Sequence, residues 1–258
     1  MENKSANYAS VNGINMYYEI HCDGNIPLVL IHGGGSTIES TFGNLLPLLK
    51  NYGKLIAVEL QAHGRTSDRD APETFEQDAD DVAALLNYLK VQKANFLGFS
   101  NGGTTTMQIA IRHKELVNKI IIISASFNRA GFIGGFFENM PHATLDNMPA
   151  QLKKDYLKVA PNKNGLLVMF NKDKERMINF KDIDENLIRS ISFPTLIISG
   201  DQDVTTVDHA VLLSKLISGS RLLIVPGTHG SFIGESCSTV PGSKTPDAVA
   251  TIIREFLV

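Results

Sequence analysis

The chain has 258 residues, 43% of them hydrophobic and 20% charged, with a formal net charge of −3. A chain of this length can bury one sizeable core, about three quarters of its unfolded surface, and its charge balance gives no electrostatic case for nucleic acid or an anionic membrane as partner. Cys22 and Cys237 are too few for a disulfide framework and form no Cys-x-x-Cys pair, so both read as free structural thiols.

The polar start, residues 1–10, lacks the apolar core of a signal peptide, and no apolar run reaches bilayer length. The expected location is therefore the cytoplasm. Residues 8–11 and 14–20 read as strands joined at Asn12-Gly13, a strong hairpin signal. Residues 27–31 are a continuous apolar run that fits a strand buried on both faces, ending in His32-Gly33-Gly34-Gly35-Ser36. A helical pattern over 41–50 leads to a second buried run at 55–60. Residues 74–90 form the longest helix candidate, with Thr74 as cap and Val82, Leu85, Leu86 and Leu89 on one face.

A strand at 94–97, a helix at 104–113 and an isoleucine-rich strand at 119–124 come next. Strands at 194–199 and 222–225 alternate with helices at 208–217 and 246–257. This alternation predicts an α/β fold: a doubly wound, mostly parallel sheet entered through an antiparallel hairpin. It breaks once. Between 126 and 192 the pattern is helical and lysine-rich, with segments at 150–159 and 165–170 leading into 171–180. A helical cap inserted late in the sheet is the expected result, dividing the chain into a core of residues 1–125 and 191–258 and a cap of residues 126–190. Phe127, Phe132, Phe136, Phe137, Met140, Met148 and Met169 concentrate in this insertion. Most are expected to form the core of a small helical subdomain, and some to line the space between cap and sheet.

The most informative stretch is Gly98-Phe99-Ser100-Asn101-Gly102, which lies between an apolar run and a helical segment. A strand, a very tight turn and a helix would place Ser100 at the apex in a strained backbone conformation, its hydroxyl above the sheet. Gly98 and Gly102 are expected to prevent a side-chain collision across that turn. The pentapeptide alone is a weak signal, so its weight depends on partners at the other strand ends.

In a parallel sheet those ends converge on one rim. The strand at 194–199 leads into Gly200-Asp201-Gln202-Asp203, and the strand at 222–225 into Pro226-Gly227-Thr228-His229. An imidazole can remove a serine hydroxyl proton, and a carboxylate can fix its tautomer and stabilise the imidazolium. Asp203 is preferred over Asp201, because Asp201 sits where it can serve the turn. Among the seven histidines, His229 is the best base; His32 reads as a brace for the glycine run and His63 as loop structure. The run at 33–35 lets the backbone approach a reacting oxygen. The Gly34 and Asn101 N–H groups are the candidate oxyanion donors, the latter at the positive end of a helix dipole. A phosphate-cradling loop fits poorly, since position 38 is Ile and there is no Walker lysine. No His/Cys cluster has metal-ligand spacing, so no metal is expected.

With Leu30-Ile31-His32-Gly33-Gly34-Gly35, Ala62-His63-Gly64-Arg65-Thr66, the pentapeptide at Ser100 and the Asp203 and His229 loops, the chain resembles the α/β-hydrolase superfamily over nearly its whole length. Within it the sequence is most similar to small, capped, cofactor-free bacterial esterases, lactonases and perhydrolases. The resemblance implies a cap after the sixth strand, no cofactor, and Asp203 in the acid role. It also implies a serine hydrolase that cleaves a small carboxylic ester or lactone through an acyl-enzyme. C–C bond hydrolysis, perhydrolysis, iminopeptidase action and a low-turnover small-molecule receptor are alternatives. The cap acids Glu138, Asp146, Asp155, Asp173 and Glu175 show no obvious cluster of the kind that selects a free amino terminus. Two segments depart from the superfamily pattern. Glu59-Leu60-Gln61-Ala62-His63-Gly64 replaces the usual Asp-x-Arg-Gly-x-Gly, and residues 231–245 form a long polar segment read as a surface loop.

Overall fold

In the computed structural model, which describes residues 4–258, eight strands form one sheet in the order β1-β2-β4-β3-β5-β6-β7-β8. The hairpin β1 (Lys4–Val11) and β2 (Ile14–His21) turns at Asn12-Gly13 and pairs antiparallel through β2 with β4 (Leu55–Val58). All remaining pairs are parallel: β3 (Leu28–Ile31), β5 (Ala94–Phe99), β6 (Val117–Ile123), β7 (Thr195–Gln202) and β8 (Arg221–Thr228).

Alternation along each strand divides the core between two faces. Val29, Ile31, Ile56, Phe96, Ile120 and Ile122 point to one side. There they meet α3 (Phe75–Tyr88), α4 (Asn101–Arg112), α8 (Glu185–Arg189) and α9 (Val207–Leu216). Leu28, Leu30, Leu97, Phe99, Ile121 and Ile123 point to the other side. That face is covered by α1 (Ile38–Phe42), α2 (Leu46–Leu49) and α10 (Thr245–Leu257). All four residues of β3 are fully buried, as expected of a strand covered on both faces. Truncating such a side chain to Ala costs about 2–5 kcal/mol.

The single helix expected over 41–50 is two short ones. Pro47 has no N–H to donate to the Gly43 carbonyl one turn earlier, so the helix ends at Gly43 and restarts with Pro47 near its N-terminus. Between β6 and β7 the described chain forms helices and turns, principally α5 (Phe136–Asn139), α6 (Ala150–Val159) and α7 (Gly165–Ile178). This segment lies over the carboxyl end of the sheet and closes a cavity of about 340 Å³.

Its apolar side chains pack in two small clusters, one around Met148, Leu152, Tyr156 and Met169 and one around Met177 and Phe180 against Phe75. Phe132, Phe136, Met140, Met148 and Met169 all line that cavity. Phe127 belongs to the main core instead, and Phe137 packs in a satellite cluster with Phe132 and Phe180. Met148, Leu152, Met169 and Met177 thus serve both as the packing of this segment and as the wall of the cavity beneath it.

Candidate active site

Ser100 sits between β5 and α4 with φ 54° and ψ −121°. An L-residue adopts this conformation only where its surroundings impose it. Here the Ser100 N–H is held by the Ile123 carbonyl at 2.8 Å. A Cβ at Gly98 would run into the Gly102 carbonyl, as the tight turn requires. At Gly102 the obstacle is different from the one expected: a Cβ there would strike the Ile31 and His32 carbonyls at the end of β3. Gly98 therefore permits the turn, and Gly102 lets α4 sit down on the neighbouring strand.

The loops after β7 and β8 converge on this serine. His229 Nε2 lies 3.0 Å from Ser100 Oγ, and His229 Nδ1 lies 2.6 Å from Asp203 Oδ1. A carboxylate only accepts, so Nδ1 carries the proton and Nε2 is left to accept from the Ser100 hydroxyl. Asp203 is buried and further held by the Val204 N–H at 2.7 Å and by the Ser124 hydroxyl. Burial raises a carboxyl pKa, but the hydrogen bonds and charge of His229 outweigh it and hold Asp203 below the ordinary range. Burial likewise pulls His229 down, while Asp203 pushes it to a net value above 6.5. The Phe99 ring packs against the imidazole with centroids 4.7 Å apart. Asp201 points elsewhere, accepting the Gly227 N–H at 2.8 Å and bracing the histidine loop.

Gly34 and Asn101 line the cavity together with Ser100 and His229. The glycine run is fixed from below by His32. Its Nδ1–H donates to the Gly33 carbonyl at 2.7 Å and its Nε2 accepts the Leu60 N–H at 3.0 Å. Only a neutral ring can do both, and burial, reinforced by the neighbouring His63, pulls its pKa down to about 3.

Four features of the site's surroundings are not legible in the sequence. His63 is more than loop structure: Nδ1–H donates to the Gln61 carbonyl at 2.8 Å, and Nε2 meets Asp173 Oδ2 at 3.0 Å. Burial alone would lower its pKa, yet Asp173 drives it up to about 9. Asp173, on α7, lines the cavity, and only its i,i+3 spacing to Arg176 hints at a pairing role. Ser124, at the end of β6, supports Asp203. The fourth is the segment after His229, where the surface-loop reading needs correction. Residues 231–235 are buried, and exposure begins at 239. The polar groups are tolerated inside because each is paired: Glu235 accepts from Ser36 Oγ at 3.1 Å, and Asn44 Nδ2 donates to the Gly234 carbonyl at 2.7 Å.

Glu59, in the departing loop, is fully buried and accepts from the Arg65 N–H and guanidinium at 2.6 and 2.7 Å. It thereby closes the turn that presents His63. Both cysteines are free thiols. Among the described residues no group of His, Cys, Asp or Glu is disposed to hold a metal ion, and no helix is long and apolar enough to cross a membrane.

Residues 26–172 match the family model described as the alpha/beta hydrolase fold. The chain belongs to that family. It is similar to the human "Serine hydrolase BPHL", 27% identical over 244 residues that cover 85% of this chain and 78% of the relative. A 2-hydroxy-6-oxo-6-(2'-aminophenyl)hexa-2,4-dienoic acid hydrolase of Metapseudomonas resinovorans is 25% identical over 78% of this chain and 76% of its own length. Among solved structures, the enol-lactonase from Burkholderia xenovorans LB400 superimposes with a TM-score of 0.74 at 24% identity, covering 97% of this chain and 99% of that one. The α/β-hydrolase fold is thus common to sequence and structure comparisons.

Proposed function

We propose that this hydrolase cleaves a small carboxylic ester or lactone, with Ser100 as nucleophile, His229 as general base then acid, and Asp203 as the residue that orients the imidazole and balances its charge. The supporting observation is the continuous hydrogen-bonded line Asp203–His229–Ser100, at 2.6 and 3.0 Å, ending on a strained serine in the cavity wall. Ser100 Oγ adds to the acyl carbon as its proton passes to His229 Nε2. The tetrahedral intermediate carries negative charge on the former carbonyl oxygen, which the Gly34 and Asn101 amides stabilise. Collapse breaks the acyl–oxygen bond, and the leaving alkoxide takes the proton from Nε2. Water then adds to the acyl-enzyme by the same route, releasing the carboxylic acid and restoring Ser100.

The cavity wall supports an apolar acyl or alkyl group, since Phe132, Phe136, Met140, Met148, Leu152 and Met169 line it. Similarity to a hexadienoic acid hydrolase favours a second reading, in which the same serine attacks a ketone and the bond broken is C–C. Turnover of nitrophenyl esters by wild type, Ser100→Ala and His229→Ala tests the first reading. The expected loss in kcat is on the order of 10⁴-fold or more for each variant. Undiminished turnover in either overturns it, and a wild type inert to esters and lactones but active on a vinylogous diketone supports the second.

A further inference from the structure

Asp173 reaches from α7 over the carboxyl end of the sheet and touches both sides of the oxyanion site. Oδ2 accepts the Gly35 N–H at 2.5 Å, and Oδ1 accepts from Asn101 Nδ2 at 3.3 Å. Those two residues belong to the separate loops that supply the Gly34 and Asn101 amides. The glycine run also packs directly on the carboxylate, since a Cβ at Gly34 would lie 3.2 Å from Oδ2.

Consecutive glycines lose more conformational freedom on ordering than any other residues, so an N–H donor carried on them is preorganised only if something else holds it. A charge-assisted bond to Gly35 is a strong restraint of this kind. Asp173 is itself restrained. His63 Nε2 lies 3.0 Å from Oδ2, and Arg176, one turn along α7, pairs with Oδ1 and with the buried Asp78 at 2.7 Å. Gly35 N also lies 3.2 Å from His63 Nε2; with His63 protonated, that nitrogen donates to Asp173 and the Gly35 amide is left to the carboxylate, its nearer acceptor. The two cations also answer an electrostatic problem. A bare carboxylate beside a forming oxyanion would oppose the reaction; the His63 imidazolium and the Arg176 guanidinium, which is shared with Asp78 and Glu73, offset part of that charge.

We propose that Asp173 is a positioning residue of the oxyanion site: its bonds to Gly35 and Asn101 hold the two amide donors in register, so that the seating of α7 on the core completes the reaction centre. This rests on the reading of Ser100 as nucleophile and of Gly34 and Asn101 as oxyanion donors. It gives α7 two roles, because Met169, Phe170 and Met177 of the same helix line the cavity. An acyl group that displaces α7 also disturbs the donors, so poor fit is felt in kcat as well as in KM.

The test compares kcat and KM of the full chain on one nitrophenyl ester for wild type, Ser100→Ala, Asp173→Ala and Asp173→Asn. Asp173→Ala is expected to lower kcat about 10²-fold, the scale of one lost oxyanion donor, with KM within about threefold of wild type. Asp173→Asn keeps a carboxamide oxygen that can accept from Gly35 but loses the charge, and is expected to leave kcat about three- to tenfold below wild type. Asp173→Ala with kcat within about threefold of wild type, a loss confined to KM, or an Asn variant no better than Ala overturns the proposal. Removing the carboxylate leaves His63 and Arg176 uncompensated, and if the Ala variant fails to fold the Asn variant decides alone. A three- to tenfold fall in kcat at constant KM (about one weakened hydrogen bond) then supports the proposal, and kcat within about twofold of wild type overturns it. Ser100→Ala separates the two layers: turnover surviving in that variant defeats the nucleophile reading itself, whereas a dead Ser100→Ala beside a normal Asp173→Ala defeats only the positioning role.

Discussion

Ser100, Asp203 and His229 follow three strands of one hydrogen-bonded ladder, the buried β5, the largely buried β7 and the more exposed edge strand β8, whereas Asp173, Met169 and Met177 ride on a helix held to the core by side chains alone, through polar bridges and two small apolar clusters. The first group is located by sheet register: β5 pairs with β6, β6 with β7 and β7 with β8, so three loop residues far apart in sequence arrive at one point. The second group is located by side chains. Besides Asp173, the bridges from this helix include Arg176 to Asp78 at 2.7 Å and Lys172 to the Arg69 and Ala71 carbonyls at 2.7 Å each, and Tyr156 of α6 adds a bond to the Ala62 carbonyl at 3.1 Å. On the reading proposed above, the Ser100 line is thus built on the sheet, and the substrate wall and the Asp173 bonds to Gly35 and Asn101 on the segment that covers it.

Substitutions on either side of this divide sharpen the contrast. The largest effect is expected in the core, where two aspartates sit two residues apart in one loop. Asp203→Asn should lower kcat by roughly 10³–10⁴-fold, because the amide no longer enforces the Nδ1–H tautomer. Asp201→Asn keeps an acceptor for Gly227 and should leave kcat within about threefold of wild type. Steady-state kinetics on a single ester checks both, and equal losses at the two positions would erase the distinction drawn from geometry. A smaller effect is expected in the covering segment. Met169→Ala enlarges the cavity wall without touching the Ser100 line, and should weaken kcat/KM for a medium-chain acyl ester by about tenfold, the worth of one or two buried methylenes. The acetate ester, too short to reach that wall, should change by less than about twofold. A uniform loss on both esters would mean that α7 is as rigidly coupled to the chemistry as the strands are.

The same divide governs how much of the molecule is legible in its amino-acid sequence. Buried strands announce themselves as apolar runs, so residues 28–31, 94–97 and 222–225 and the loops that follow them stand out, and with them Ser100 and His229. Asp203 is separable from Asp201 because distance along a loop maps onto reach toward a neighbouring strand. Asp173, by contrast, is one acid among several in the sequence. Its partner Gly35 is 138 residues away, and helical periodicity carries no trace of so distant a contact. His63 is hidden for the same reason. The segment 231–235 misleads because it opens a stretch, 231–245, that is polar as a whole, while its own Phe232 and Ile233 join the core under α10 and its polar groups find Ser36 and Asn44 through tertiary packing. Gly102 is recognisable for its smallness, but the obstacle it avoids lies on β3, a strand outside the local motif.

The central claim is that Ser100 is the nucleophile, and covalent capture tests it most directly. Treating the full chain with a fluorophosphonate and locating the adduct by peptide mass spectrometry should give one modification, on Ser100, with ester turnover lost in proportion to labelling. An adduct on a different residue, or complete labelling of Ser100 with turnover intact, would contradict the account.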